Sequence, residues 1–126
     1  MIKWKSSKLK LRSGESEVEE YKKCIDELIH HDNVQMMKQF KHHHSITCFE
    51  HSVNVSLYSY LICRIFGLDY KSAARGGLLH DLFLYDWRTT KISGGKHAFI
   101  HPKIALSNAS ALFRLNYIEQ DIILKH

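Results

Sequence analysis

The sequence predicts an all-α fold, a compact bundle of about six helices, and three kinds of observation lead there. Breakers are sparse: the chain of 126 residues has one proline and six glycines, and the glycines Gly76-Gly77 and Gly94-Gly95 come in pairs. Apolar residues recur at the three-to-four spacing of a helix face rather than the alternation of a strand. Capping signals stand where those periodic stretches begin. Hydrophobic residues make up 44% and charged residues 25%, which places the chain among ordinary globular proteins rather than disordered or fibrous ones.

The elements follow in order. Residues 1–14 form a basic N-terminal tail, in which Lys3, Lys5, Lys8, Lys10 and Arg12 precede any acid. Their five positive charges equal the whole formal net charge of +5, and they read as a solvated tail in preference to a nucleic-acid contact. Trp4 could stack on a base, but one aromatic is a weak signal. The helical domain is expected over 15–126. Val18, Tyr21, Ile25, Leu28 and Ile29 mark the face of a first helix, with acids in its opening turns where they complement the helix dipole. Asp32-Asn33 breaks the run, and Val34–Phe40 reads as a short second helix.

Thr47-Cys48-Phe49-Glu50 fits a capping box, so a third helix is expected from there to Phe66, with Gly67 in the C′ position. Its apolar residues fall in two stripes, Phe49–Val53–Leu57–Tyr60–Leu61 and Val55–Tyr58–Ile62, which predicts burial around most of its circumference. Asp69 caps a fourth helix, expected to run from Tyr70 to about Leu84, whose small residues Ala73, Ala74, Gly76 and Gly77 invite a close neighbour. The stretch from Asp86 to Gly95 reads as a loop. Pro102 suits the first turn of the next helix, and Asn116 ends that helix and caps the last one.

Cys24, Cys48 and Cys63 are odd in number and lack a Cys-x-x-Cys spacing, so buried, reduced thiols are expected. No apolar run approaches the ~20 residues of a membrane span. No signal peptide is evident at the start, so the expected location is the cytoplasm, with no membrane partner.

Ten histidines are the chemical signal. His30, His31 and His42 fall in polar helix ends and are set aside there. A single histidine on a helix is more often a hydrogen-bonded or surface residue than a ligand. Four elements nevertheless offer one histidine each on an otherwise apolar background: His51, His80, His101 and His126. Asp81 stands beside His80, and a mixed imidazole and carboxylate set suits Mn, Fe, Ni, Zn or Mg. Separate helices contributing one ligand apiece is how a metal site in a bundle core is built.

The order His51, Leu79-His80-Asp81, His101-Pro102, His126 resembles the HD-domain superfamily of metal-dependent phosphohydrolases. Residues 30–126 look like the core of a bacterial HD-domain protein. The resemblance implies that His51, His80 and Asp81 bind one divalent ion and that His101 and His126 attend a second. It also implies a late aspartate ligand, expected beyond residue 126, so the chain is expected to be incomplete at its C-terminus. Leu84 departs from relatives that carry lysine three residues past the aspartate of the pair.

Phosphate contacts are therefore expected from His44, Arg88, Lys96 and His97, with Asp81 and Asp86 as catalytic carboxylates. The implied reaction is hydrolysis of a phosphomonoester or phosphodiester by a metal-activated water. The expected substrate is a small phosphorylated molecule of the nucleotide kind. A non-catalytic metal- or nucleotide-binding sensor module is the alternative, and the oligomeric state, a homodimer included, is left open.

Overall fold

The computed structural model describes residues 15–42, 45–82 and 97–125, and among them the chain is helical throughout with no strand. Helix α1 covers Glu15–Ile29, α2 Asp32–Gln35, a 3₁₀ turn Met36–Gln39, α3 Cys48–Ile65, α4 Tyr70–Leu79, α5 His97–Leu112 and α6 Tyr117–Lys125. The basic tail and the loop expected over Asp86–Gly95 lie outside the described residues.

The capping signals act as expected. The Thr47 hydroxyl accepts from the Glu50 amide at 3.1 Å and the Glu50 carboxylate accepts from the Thr47 amide at 3.1 Å, which closes the capping box of α3. The other end of α3 is a Schellman turn: Gly67 takes φ 68°, and the Leu68 amide donates to the Cys63 carbonyl at 2.8 Å. The Asp69 carboxylate accepts from the Ser72 amide at 3.0 Å. At α6 the Asn116 side chain accepts from the Glu119 amide at 2.7 Å, and Glu119 accepts in return from the Asn116 amide at 3.0 Å.

Helix α4 lies at the centre of the packing, with α1, α3, α5 and α6 around it. Its glycines set the approach distances. A Cβ on Gly77 would come within 2.9 Å of the Ser56 Cα on α3, and one on Gly76 within 2.9 Å of the Ile122 side chain on α6. The Ser56 hydroxyl donates to the Ala74 carbonyl at 2.6 Å and accepts from Tyr21 at 2.8 Å, which ties α1, α3 and α4 at one buried point. Burial raises the Tyr21 hydroxyl pKa well above the ordinary phenol value. Leu28, Leu78, Leu79, Leu82 and Ile123 fill the core around this point, each fully buried, and each such side chain contributes roughly 1.5–3 kcal/mol.

Three expectations are corrected. Helix α4 stops at Leu79 rather than near Leu84, so His80 and Asp81 lie just past its end. The His80 ring reaches back to the Gly77 carbonyl, the acceptor that a continuing helix would offer to the Asp81 amide. Pro102 lies inside α5 and not in its first turn, because the helix already begins at His97. A proline there forfeits one backbone hydrogen bond, because it has no N–H to give. Finally, α3 is not buried all round. Tyr58 is 49% and Ile62 55% exposed, so of its two apolar stripes the one through Phe49, Val53 and Tyr60 faces the core.

Candidate metal centre

The site forms where three stretches meet: the first turn of α3, the end of α4, and the short loop that leads into α3. The capping box fixes where α3 begins and so fixes His51, whose amide makes the first helical bond to the Thr47 carbonyl at 3.0 Å. The loop before it is pinned on both sides. The Cys48 amide donates to the Phe40 carbonyl at 2.7 Å, the His42 amide donates to the Ile46 carbonyl at 3.0 Å, and Lys41 pairs with Thr47 in an isolated antiparallel bridge. This closure brings His42 back over the helix start. Its ring stacks on His51 with centroids 3.6 Å apart and planes 11° from parallel.

His80 is 2% exposed and Asp81 8%. The close approach of α3 over Gly77 brings this end of α4 beside His51, and the His51 and His80 rings meet edge to face at 5.3 Å. His80 Nδ1 lies 2.5 Å from the Gly77 carbonyl oxygen. A carbonyl only accepts, so Nδ1 carries the proton and donates. Nε2, on the other side of the ring, lies 3.1 Å from Asp81 Oδ2. His51 Nε2 lies 3.5 Å from the same oxygen.

Two imidazoles thus converge on one buried carboxylate oxygen. A histidine whose second nitrogen donates to a backbone carbonyl is oriented as metal-ligating histidines usually are. One ligand atom from each of His42, His51 and Asp81 lies within 4.8 Å of the others, a group that could hold a metal ion.

The expected site residues fare unequally. His51 and the adjacent pair His80-Asp81, 29 residues further along the chain, are brought together. His101 is half-buried on α5 and is not in the group formed by His42, His51 and Asp81. His44, Asp86, Arg88, Lys96 and His126 lie outside the described residues, as does the side chain of His97. His42 was set aside in the sequence and is the residue that reading missed. The signal available was its place nine residues before His51, across the Thr47 cap. The other two histidines set aside with it have local tasks: His31 Nδ1 accepts from the Asn33 amide at 3.1 Å to cap α2, and His30 pairs with Asp26 on the surface.

Comparison of the chain with family models, curated proteins and solved structures finds no match. The three cysteines are free thiols, Cys24 and Cys48 buried and Cys63 half-buried. Among the described residues no helix is long and apolar enough to cross a membrane.

Proposed function

We propose that this chain is a metal-dependent phosphohydrolase of the HD-domain kind, cleaving a phosphomonoester or phosphodiester of the nucleotide class. The observation that carries the reading is the convergence of His51 Nε2 and His80 Nε2 on Asp81 Oδ2, with His80 oriented from behind by the Gly77 carbonyl. These three residues would hold the ion. Their nitrogen-rich donor set favours Mn, Fe, Ni or Zn over Mg, which prefers oxygen ligands. A bound divalent ion would acidify a water and polarise a phosphoryl oxygen, the chemistry this reaction needs.

The chain's own residues have separable tasks. Gly77 fixes the His80 tautomer. Asp81 supplies the negative charge that holds a cation between two neutral rings. Arg88 and Lys96 are the cations proposed to balance charge on the phosphate, with His44 and His97 as further phosphate contacts and Asp86 as a proton carrier.

The test is metal analysis after gentle purification, followed by a screen of phosphate esters on wild type and Asp81→Ala. The expected outcome is a transition metal bound to wild type, ester cleavage, and a loss of both on substitution. Metal without cleavage of any ester would favour the binding-module alternative. Absence of Mn, Fe, Ni, Zn and Mg after reloading would sink both readings.

A further inference from the structure

An apolar strip runs along the outer side of α3 to the end of the bundle away from Asp81. Tyr58, Ile62 and Ile65 stand at successive turns, and Phe66 and Leu68 carry the strip round the Schellman turn. Ile65, Phe66 and Leu68 are 77%, 71% and 59% exposed. Between Glu50 and Arg64 the helix holds no lysine, arginine, aspartate or glutamate. Contiguous exposed apolar side chains of this size mark an interaction surface.

A strong positive charge enters at the same end. Tyr60 donates to the Glu17 carbonyl at 3.3 Å and Arg64 pairs with Glu20 at 2.8 Å, so the start of α1 lies against the last turns of α3. Residues 1–14 join directly to that start. They carry Lys3, Lys5, Lys8, Lys10 and Arg12 with no acid, interleaved with Ile2, Trp4, Leu9 and Leu11. The nearby acids are engaged inside the fold: Asp69 caps Ser72, and Glu20 meets Arg64. The Asn116 side chain donates to the Ser72 hydroxyl at 2.9 Å, which sets the start of α6 beside the start of α4, with Tyr117 88% exposed there.

We propose that this end of the bundle docks on an anionic membrane surface, Ile65, Phe66 and Leu68 entering the headgroup layer while the basic residues 1–14 meet the acidic lipids. The expectation of no membrane partner came from the lack of a spanning segment, and surface docking needs none. Apolar insertion or a polybasic segment alone holds a protein only marginally, whereas the two together hold it well. Charge and chemistry separate the occupants. A second copy meeting through this face would set two tails of five positive charges side by side. A nucleic acid would meet the cations but leave the aliphatic side chains of Ile65 and Leu68 unused. An anionic bilayer uses both. His51 lies ~21 Å back along α3 by helix rise, so docking leaves the proposed metal centre uncovered.

The experiment is co-sedimentation of the full chain with vesicles of phosphatidylcholine alone or with roughly 30% phosphatidylserine, in roughly 0.1 M salt. Five proteins are compared with wild type, each checked for folding by circular dichroism. One carries Lys3→Gln, Lys5→Gln, Lys8→Gln, Lys10→Gln and Arg12→Gln together. Two alter the face, Ile65→Ser with Phe66→Ser, and Leu68→Ser. Leu124→Ser changes an exposed residue at the far end of α6, and Asp81→Ala tests independence from the metal reading. Wild type should bind the anionic vesicles and bind the neutral ones at least about tenfold more weakly. The tail variant should lose about a hundredfold or more, and the paired face variant about tenfold. Leu124→Ser and Asp81→Ala should bind as wild type does.

No binding to anionic vesicles would overturn the proposal. So would binding that the tail variant loses while both face variants keep it, or an equal loss in Leu124→Ser. A dimer that Ile65→Ser with Phe66→Ser abolishes, without vesicle binding, would assign the face to a second copy instead. Retention of a single-stranded oligonucleotide without vesicle binding would assign the tail to nucleic acid.

Discussion

A buried carboxylate persists only where cations or hydrogen-bond donors meet it, and Glu119 and Asp81 both live under that rule, 3% and 8% exposed. Glu119 is met by Arg75 Nε at 2.5 Å and by the Asn116 amide, with Glu27 engaging the same guanidinium at 2.9 Å. Burial pushes the Arg75 pKa down, but its hydrogen bonds to Glu27 and Glu119 outweigh that and hold it above the ordinary value. This pair is self-sufficient, because arginine is always charged. Asp81 instead meets imidazoles, which bring no guaranteed charge, and that difference supports the proposed reading of Asp81 as a cation ligand beside a structural Glu119. Arg75→Ala should cost about 3–5 kcal/mol by stranding Glu119, and the double variant Arg75→Met with Glu119→Leu should recover most of it. Urea denaturation midpoints measure both. A loss below about 1 kcal/mol in the single variant would mean that Glu119 finds other partners.

At the scale of elements, α4 decides most of the molecule. Its small residues admit α3 and α6 on two sides, and its early end sets the direction in which His80 and Asp81 point. The two glycines differ in what they tolerate. A methyl group on Gly77 meets the backbone of Ser56, which cannot yield without moving α3, whereas one on Gly76 meets the side chain of Ile122. Gly77→Ala should therefore destabilise by about 1–3 kcal/mol despite the better helix propensity of alanine, and Gly76→Ala by less. Chemical denaturation of the two variants side by side checks the order, and the reverse order would contradict the packing described. Because α3 carries His51, Gly77→Ala should also weaken the proposed metal binding, while Gly76→Ala should not.

For the whole molecule, the proposed centre joins three parts of the chain: the loop over α3, the start of α3 and the end of α4. A ligand bound only by the folded state adds stability, about 2.7 kcal/mol at a hundred times its dissociation constant. Mn²⁺ or Zn²⁺ at that level should raise Tm on the order of 10 °C for a domain of this size. A chelator should reverse the shift and Asp81→Ala should abolish it, as followed by thermal denaturation. An equal rise in Asp81→Ala would place the binding elsewhere.

The sequence by itself determined the helices, because capping and periodicity are local. Thr47 with Glu50, Gly67, Asp69 and Asn116 each act within four residues of where they stand, so their parts could be read without knowing what packs on them. It also singled out His51, His80 and Asp81, since a polar group on an apolar helix needs a partner wherever it folds.

What only the tertiary structure decided depends on contacts between distant segments. The end of α4 at Leu79 is a local exception: the His80 ring meets the Gly77 carbonyl three residues back, against a periodicity that runs on through Leu82. That the Tyr58–Ile62 side of α3 is exposed depends on which neighbours arrive. That His42 stacks on His51 depends on the loop closing through Phe40 and Ile46, and no helix pattern encodes that closure. The helical fold was thus legible because its signals are short-range. The arrangement of donors around Asp81 was not, because orientation and distance across segments are set by packing.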